Sequence, residues 1–330
     1  MSMLRGPLAG LCAAALMTAA AGGVATAQES LVLRSADTHP DGYPTVEAVE
    51  YMSQLLGEKT GGRLSIQVFH SSQLGEEKDT IEQTQFGVLD MNRVNLAPLN
   101  QVAPETVVLG LPFLFRSVEH MHEVLDGEIG QQILDAMEPH GLIGLAFYDS
   151  GARSVYNSKR PVTSIADMNG LKVRVQQSDL FIAMIQALGA NPTPMPFGEV
   201  YSGLQTGVVD GAENNWPSYH STRHFEVAPY YSLTEHSMTP EMLVMSKLTW
   251  DRLTPEDQQA VRDAAKESVA RMRELWQVSE EEARAAVVDG GAQVNEVDKQ
   301  PFIDAMQPVY DRFASDPKLK DLVERIRAVE

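Results

Sequence analysis

Residues 254–289 read TPEDQQAVRDAAKESVARMRELWQVSEEEARAAVVD. Thr254 is a capping residue, Pro255 suits a first helical turn, and Glu256 and Asp257 place negative charge where the helix dipole favours it. After Pro255 neither proline nor glycine recurs before Asp289, while Val261, Ala265, Val269, Met272, Trp276, Ala283 and Val287 fall along one face. The pattern predicts one helix of more than thirty residues, on the order of 50 Å long at 1.5 Å per residue. Ordinary helices have about a dozen residues. One this long is expected to run across two lobes.

The rest of the chain alternates strand and helix. Leu31, Val32 and Leu33 open a strand, and Val46, Val49, Met52, Leu55 and Leu56 recur at helical spacing before Gly61 and Gly62. Leu64, Ile66 and Val68 alternate as in a strand; a helix is expected over 76–86, then the apolar-rich run LDMNRVN, a helix over 117–137 and a buried strand over 142–147. The alternation restarts at Gly151. Strands are expected over 152–157 and 171–175, a helix from Ser178 to Leu188 stopped by Gly189, a helix over 198–206 leading into VVDGAENNW, and a strand over 241–246. Such interleaving implies an α/β chain with mostly parallel sheet. No repeat, low-complexity tract or Pro/Ser linker appears, so crossing strands are expected to join the lobes, taken as 28–150 with 240–280 and 151–239 with 281–330. The cleft between them is the natural ligand site.

Residues 1–27 are expected to be a cleaved signal peptide. Arg5 precedes an apolar, alanine-rich stretch over 8–24, and Ala25-Thr26-Ala27 supplies the small residues of a cleavage site. The single cysteine, Cys12, lies inside that stretch, so the exported chain is expected to have no thiol or disulfide. With 26 basic and 45 acidic residues the formal net charge is −19. So acidic a surface argues against nucleic acid or anionic lipid as a partner.

Catalytic and cofactor signatures are missing. The chain has no G-x-x-x-x-G-K-[ST], no G-x-G-x-x-G and no G-x-S-x-G, so neither a nucleotide cofactor nor a serine nucleophile is implied. His120 and His122, two apart on a helix, point about 200° apart and cannot share one metal ion; a solvated helix face is expected there. Acidic pairs such as Glu76-Glu77 are uninformative in so acidic a chain. No cofactor, metal or catalytic residue is assigned.

Arg174 stands out in the run LKVRVQQ, residues 171–177. Leu171, Val173 and Val175 alternate to one face, Lys172 and Arg174 to the other. A half-exposed strand with both cations in water satisfies that pattern. So does a binding residue, because Arg174 lies near the carboxyl end of an expected parallel strand, where open α/β sheets bind ligands, and a guanidinium holds a carboxylate through two parallel hydrogen bonds. Taken alone, Arg153 reads as a surface partner of Asp149, Phe197 as core and Asn214 as a turn residue.

The segments SSQLGEEKDTIEQTQFGVLDM, LPFLF, SIADMNGLKVRVQQSDLF and LGANPTPMPFGEVYSGLQTGVVDGAEN resemble the solute-binding protein (DctP) family of tripartite ATP-independent periplasmic (TRAP) transporters, from about Leu31 to about Val323. The resemblance implies a two-lobed periplasmic binding protein, a flytrap with a long helix across both lobes that closes over an acidic solute and delivers it to integral-membrane subunits. It implies that Arg174 pairs with the solute carboxylate, that Arg153 is a second pocket arginine, that Asn214 bonds a solute oxygen, that Phe197 forms an aromatic wall and that Asn95 is a polar pocket residue. Glu213 is then a buttress.

His39, Glu77 and Trp216 complete the expected lining, with the first-lobe residues His39, Glu77 and Asn95 facing Arg153, Arg174, Phe197 and Asn214. A C4-dicarboxylate needs two cationic ends and is repelled by Glu77 or Asp41 if they face it; a sugar acid needs one cationic end, several hydrogen-bonding groups and a flat aromatic. A hexuronate such as D-glucuronate or D-galacturonate is therefore the expected small organic acid, and the runs ENNWPSY and HPDGYPT resemble those of sugar-acid binders. The alternatives are a C4-dicarboxylate binder of the same family, a binder serving a sensor kinase, and a secreted hydrolase of acidic sugars.

Overall fold

The computed structural model describes residues 30–329; the expected signal peptide, with Cys12, lies outside the described residues. Eleven strands form two sheets: β1 (Leu31–Ala36), β2 (Leu64–Phe69), β3 (Met91–Asn95), β4 (Leu142–Tyr148), β5 (Arg153–Asn157), β6 (Lys172–Val175), β7 (Asn191–Pro194), β8 (Gly211–Asn214), β9 (Tyr230–Ser237), β10 (Glu241–Ser246) and β11 (Gln293–Glu296). The first sheet has the order β2-β1-β3-β10-β4 and the second β11-β9-β5-β8-β6-β7. The sheets are mixed rather than mostly parallel. β10 runs antiparallel to both β3 and β4, and β5 runs antiparallel to both β8 and β9.

Those antiparallel strands are the crossings between lobes. The chain leaves the first sheet along β4 and enters the second along β5 after four residues, 149–152; it leaves the second along β9 and returns along β10 after three, 238–240. Because the two crossings run side by side in opposite directions, both sheets turn the same kind of edge toward the gap: the carboxyl ends of β1, β3, β6 and β8, and the amino ends of β5 and β10.

The alternation of β10 shows how one strand serves two cores. Met242 and Val244 join the cluster that also takes Val155, Val173 and Val175 of the second sheet, whereas Leu243 and Met245 face the opposite way, toward Val46, Val49 and Met52. The helix Pro255–Asp289 is 35 residues long, and the Thr254 hydroxyl accepts from the Asp257 backbone at its start. Its first two-thirds bury Val261, Ala265, Met272 and Trp276 with the first sheet; its last turns bury Ala283 and Val287 with Tyr156, Tyr219 and Tyr231. One helix thus belongs to both lobes.

Two expectations fail locally. The segment 117–137 is two helices, Val118–Asp126 and Glu128–Asp135, broken at Gly127. The second helix restarts so tightly that a Cβ on Gly130 would come within 1.9 Å of the Leu125 carbonyl oxygen, so the glycines enforce a bend that periodicity alone did not show. The terminal helix Pro317–Ala328 packs with the first-sheet lobe rather than the second. The His120 ring bonds the Ile326 carbonyl at 2.9 Å and the Arg116 guanidinium donates to the Arg327 and Val329 carbonyls. No helix of the described residues is long and apolar enough to cross a membrane.

Trp276 sits where the long helix meets the crossing. Gly151, at φ +57°, approaches so closely that a Cβ there would stand 3.1 Å from the indole, and the indole N–H is buried without a partner, so packing alone holds it. Trp276→Ala should cost about 3–5 kcal/mol. Urea denaturation monitored by circular dichroism checks this; an unchanged midpoint would show that the helix is anchored elsewhere.

Candidate functional site

Between the facing strand ends lies a small cavity lined by Thr38, His39, Glu77, Asn95, Arg153, Arg174, Gln176, Phe197, Asn214, Ser218 and Glu241. Larger hollows open on the outer surface around Glu128 and Tyr310. Only the inter-sheet cavity, among these, is walled by several buried charged side chains.

Two buried guanidiniums, Arg153 and Arg174, line this space and a third, Arg93, lies behind its wall, each in a different situation. Arg93, on β3, is 1% exposed and is the hub of the first-sheet wall. Its Nε donates to Asp37 Oδ2 at 2.9 Å, and its terminal nitrogens reach Asp37 Oδ1, Thr38 Oγ1, Glu241 Oε2 (2.8 Å) and Glu77 Oε1 (3.4 Å). Burial opposes its charge, but Asp37, Glu241 and Glu77 outweigh that and hold its pKa well above the usual arginine value. Arg153, the first residue of β5, is also 1% exposed. It donates Nε to Glu213 Oε2 at 2.6 Å, Nη2 to Glu213 Oε1 and to the Glu213 carbonyl at 3.0 Å, and Nη1 to Asn214 Oδ1 at 3.0 Å. Here too burial is outweighed, by the Glu213 carboxylate, and the pKa rises. Glu213 itself is pulled down to about 2: burial pushes up, and Arg153, with the His236 ring 3.6 Å away, prevails.

Arg174 differs. It is 3% exposed, and its Nε and Nη2 both donate to the Met195 carbonyl, at 2.9 and 2.7 Å. No carboxylate among the described residues lies within 4.0 Å of its nitrogens, and Nη1 has no hydrogen-bond partner there. Burial lowers its pKa, Glu213 offsets this only in part, and Arg153 adds repulsion. The neighbouring His224 does not help: burial and the Arg174 charge lower it to about 3, so it is neutral. A buried cation without a counter-ion is costly. An anion in the cavity would supply what is missing.

The strand pattern explains how Arg174 reaches this place. Leu171, Val173 and Val175 are at most 1% exposed in the apolar core, which turns Lys172 and Arg174 to the other face of β6. Lys172, at the amino end, donates to the Gly207 carbonyl at 2.6 Å; Arg174, two residues on, arrives at the cleft.

The remaining lining is polar and aromatic. His39 is 6% exposed, stacked on Tyr43 at 3.7 Å and met edge-on by Phe197 at 5.2 Å from across the cleft. Burial, then Arg93 and Arg153, lower its pKa well below normal, so the ring is neutral, and its Nδ1 is buried without a partner. Gln176 Oε1 on the opposite wall is likewise unpartnered. Asn95 donates Nδ2 to Glu241 Oε1 at 3.1 Å and its backbone N–H to Glu77 Oε1 at 2.9 Å. The two rims touch: Tyr43 Oη lies 2.9 Å from Ser218 Oγ, and the Asn100 amide donates to Ser178 Oγ at 3.3 Å.

Seven of the eight expected lining residues therefore meet at one cavity: Arg174, Arg153, Asn214, His39, Glu77, Asn95 and Phe197. Trp216 does not. Its indole stacks on Tyr231 at 4.0 Å within the second-lobe core, because Asn215 caps the short helix Trp216–Ser221 and turns the first residue inward. Asp41, weighed as a repelling charge, is exposed and does not line the cavity. The Arg153–Asp149 pairing does not form either; Asp149 instead takes the His122 ring at 2.9 Å. His120, expected on a solvated face, is 5% exposed. Among the described residues no group of three or more metal-ligating side chains clusters closely enough to hold an ion. Arg93, Glu241, Gln176, Thr38 and Ser218 were missed. Arg93 is a lone arginine in the expected strand run LDMNRVN, without the clean alternation that marks Arg174, and Glu241 opens the apolar run EMLVM after Pro240.

Comparison with known proteins accounts for this arrangement. The profile of the DctP family, described as bacterial extracellular solute-binding protein, family 7, matches residues 35–316. A TRAP periplasmic solute-binding protein from Bradyrhizobium sp. BTAi1, crystallised with α/β-D-galacturonate, is 61% identical with a TM-score of 0.89, covering 90% of this chain and 99% of that one. One from Roseobacter denitrificans, with bound β-D-glucuronate, is 47% identical with a TM-score of 0.89, over 91% of this chain and 100% of that one. A solute-binding protein of Chromohalobacter salexigens is 44% identical over 306 residues, 92% of this chain and 91% of its own. The two-lobed α/β fold with its long shared helix and the extended sequence match carry one conclusion: the chain belongs to family 7 of the bacterial extracellular solute-binding proteins, the solute-binding components of TRAP transporters.

Proposed function

We propose that this protein captures a hexuronate, D-glucuronate or D-galacturonate, in the cavity between its two sheets and delivers it to the integral-membrane subunits of a TRAP transporter. The observation that carries the reading is Arg174: a buried guanidinium with no carboxylate partner and a free Nη1, facing a cavity otherwise lined by hydrogen-bonding groups. The uronates bound by relatives of 61% and 47% identity support the class of solute. Export through residues 1–27 places the protein in the periplasm, where those relatives act.

In this reading the solute carboxylate pairs with Arg174, whose orientation the Met195 carbonyl fixes. Arg153, locked by Glu213 and Asn214, adds positive potential without needing to move. Phe197 covers the C–H face of the sugar ring. His39 Nδ1 and Gln176 Oε1, both unpartnered, together with Asn214, meet hydroxyls. The wall groups of the first lobe engage the solute only when the rims meet, so binding favours the closed form through its extra contacts. Micromolar affinity requires about −8 kcal/mol, which one charge-assisted fork and several hydroxyl bonds supply in a preorganised cleft.

A thermal-shift screen of uronates, aldonates, C4-dicarboxylates, keto acids and sialic acid tests the substrate class. Glucuronate or galacturonate at one hundred times its dissociation constant should add about 2.7 kcal/mol of stability, with the solute recovered unchanged. A shift with succinate or malate and none with uronates would overturn the reading in favour of the dicarboxylate alternative, and release of product would favour the hydrolase. In calorimetry, Arg174→Lys should lose about 2–5 kcal/mol of binding, since an ammonium cannot bond Met195 and still present a planar fork. Retained affinity would assign the carboxylate to another residue.

A further inference from the structure

The wall opposite Arg174 carries more negative charge than it needs for its own stability. Among the described residues Arg93 is the single cation there, and three carboxylates, Asp37, Glu77 and Glu241, converge on it. Asp37 is engaged elsewhere as well, accepting from the His39 backbone and the Thr45 hydroxyl. Glu77 and Glu241 line the cavity itself. Glu77 directs Oε1 at the Asn95 N–H and Arg93, and no described residue bonds its Oε2. The same cavity holds the unpartnered Nδ1 of His39 and Oε1 of Gln176, both on residues more than nine-tenths buried.

Resting on the uronate reading, we propose that Glu77, with Glu241 behind it, is a charge filter that sets the specificity of the site: it takes the hydroxyl end of a monocarboxylic sugar acid and rejects an acid with a second carboxylate at that end. Hydroxyls donate to carboxylate oxygens; a second carboxylate brings only acceptors and like charge. Like-charge juxtaposition in a desolvated interface costs several kcal/mol. One end of the cleft is thus short of negative charge and the other has too much, and a sugar monoacid is the solute that suits both.

The groups facing Glu77 define how pH acts on the filter. Arg93 approaches from β3, Glu241 from β10 and Asp37 from the end of β1, while Arg174 faces it across the cavity from β6 and His39 contributes no charge. Burial raises the Glu77 carboxyl; Arg93 opposes this, Glu241 adds to it, and the result is about 7. Since the folded value lies above the ordinary one, Glu77 gains its proton as pH falls through neutrality, and the like charge weakens.

Calorimetry with D-galacturonate and with galactarate, the same carbon chain carboxylated at both ends, tests this on the intact chain at pH 7.5 and pH 5.5. The unaltered protein should prefer the monoacid by about 5-fold or more at pH 7.5. Glu77→Gln keeps Oε1 as the acceptor for Asn95 and Arg93 and should remove most of that preference. Lowering the pH should narrow the ratio of the unaltered protein without any substitution. Rejection by shape alone would move with neither. Comparable affinities for the two acids, or a ratio that neither Glu77→Gln nor acid changes, would overturn the filter while leaving uronate capture standing. Failure of both uronates to bind would overturn capture and filter together.

Discussion

A charge taken out of water must be neutralised, and this constraint organises the centre of the molecule. Moving an ion into a protein interior costs several kcal/mol even after relaxation. Arg93 meets the cost with Asp37, Glu241 and Glu77, and Arg153 with Glu213. Arg174 has only the Met195 carbonyl. The fold therefore stabilises two guanidiniums fully and leaves the third dependent on what enters the cleft. A dipole keeps Arg174 in place; only an anion completes it.

The backbone makes that imbalance possible. Because β4 and β10 in one sheet are continued by β5 and β9 in the other, both sheets end at the same gap, and residues far apart in sequence become neighbours. The Arg93–Glu241 bond joins positions 148 apart and the Arg153–Glu213 bond positions 60 apart. Each of these pairs lies within the strands of one sheet. Lobe movement can therefore leave each neutralised arginine intact while it opens or closes the space before Arg174. The long helix, sharing its apolar face between Val261–Trp276 and Ala283–Val287, ties the two lobes together by packing.

What was legible in the sequence was what local physics decides. The uninterrupted stretch 255–289 contains no residue that stops a helix, so its length could be read directly, and the alternation of Leu171, Val173 and Val175 fixed which way Arg174 faces. Tertiary partners are decided by packing and were not legible. Arg153 had Asp149 four residues away and chose Glu213 because β5 and β8 lie side by side, with Val155 opposite Glu213. Trp216 offered a flat aromatic in a promising run, but the Asn215 cap turns it into the core. The same holds for Arg93, whose three acidic partners come from the end of β1, a helix start and β10, segments that no single stretch of sequence relates.

The contacts that hold the rims together are modest. The Gly198 N–H donates to the Glu76 carboxylate and the Gln101 amide to the Gln177 carbonyl, both at the long distance of 3.4 Å. Tyr43 to Ser218 and Asn100 to Ser178 are hydrogen bonds between neutral groups, each contributing about 0.5–1.5 kcal/mol net, and the edge of Phe197 against His39 adds an aromatic contact of about the same size. His39 is neutral, so it draws no counter-charge across the gap. Charge attraction between the rims would have made closure strong whether or not solute was present, and it would have competed with the solute for Arg174. With no ion pair across the cleft among the described residues, the closed form without solute gains little and still buries a cation that has no counter-ion there. In the proposed reading the solute carboxylate removes that penalty by reaching Arg174, and closure is thereby tied to a group with no counter-ion among the described residues.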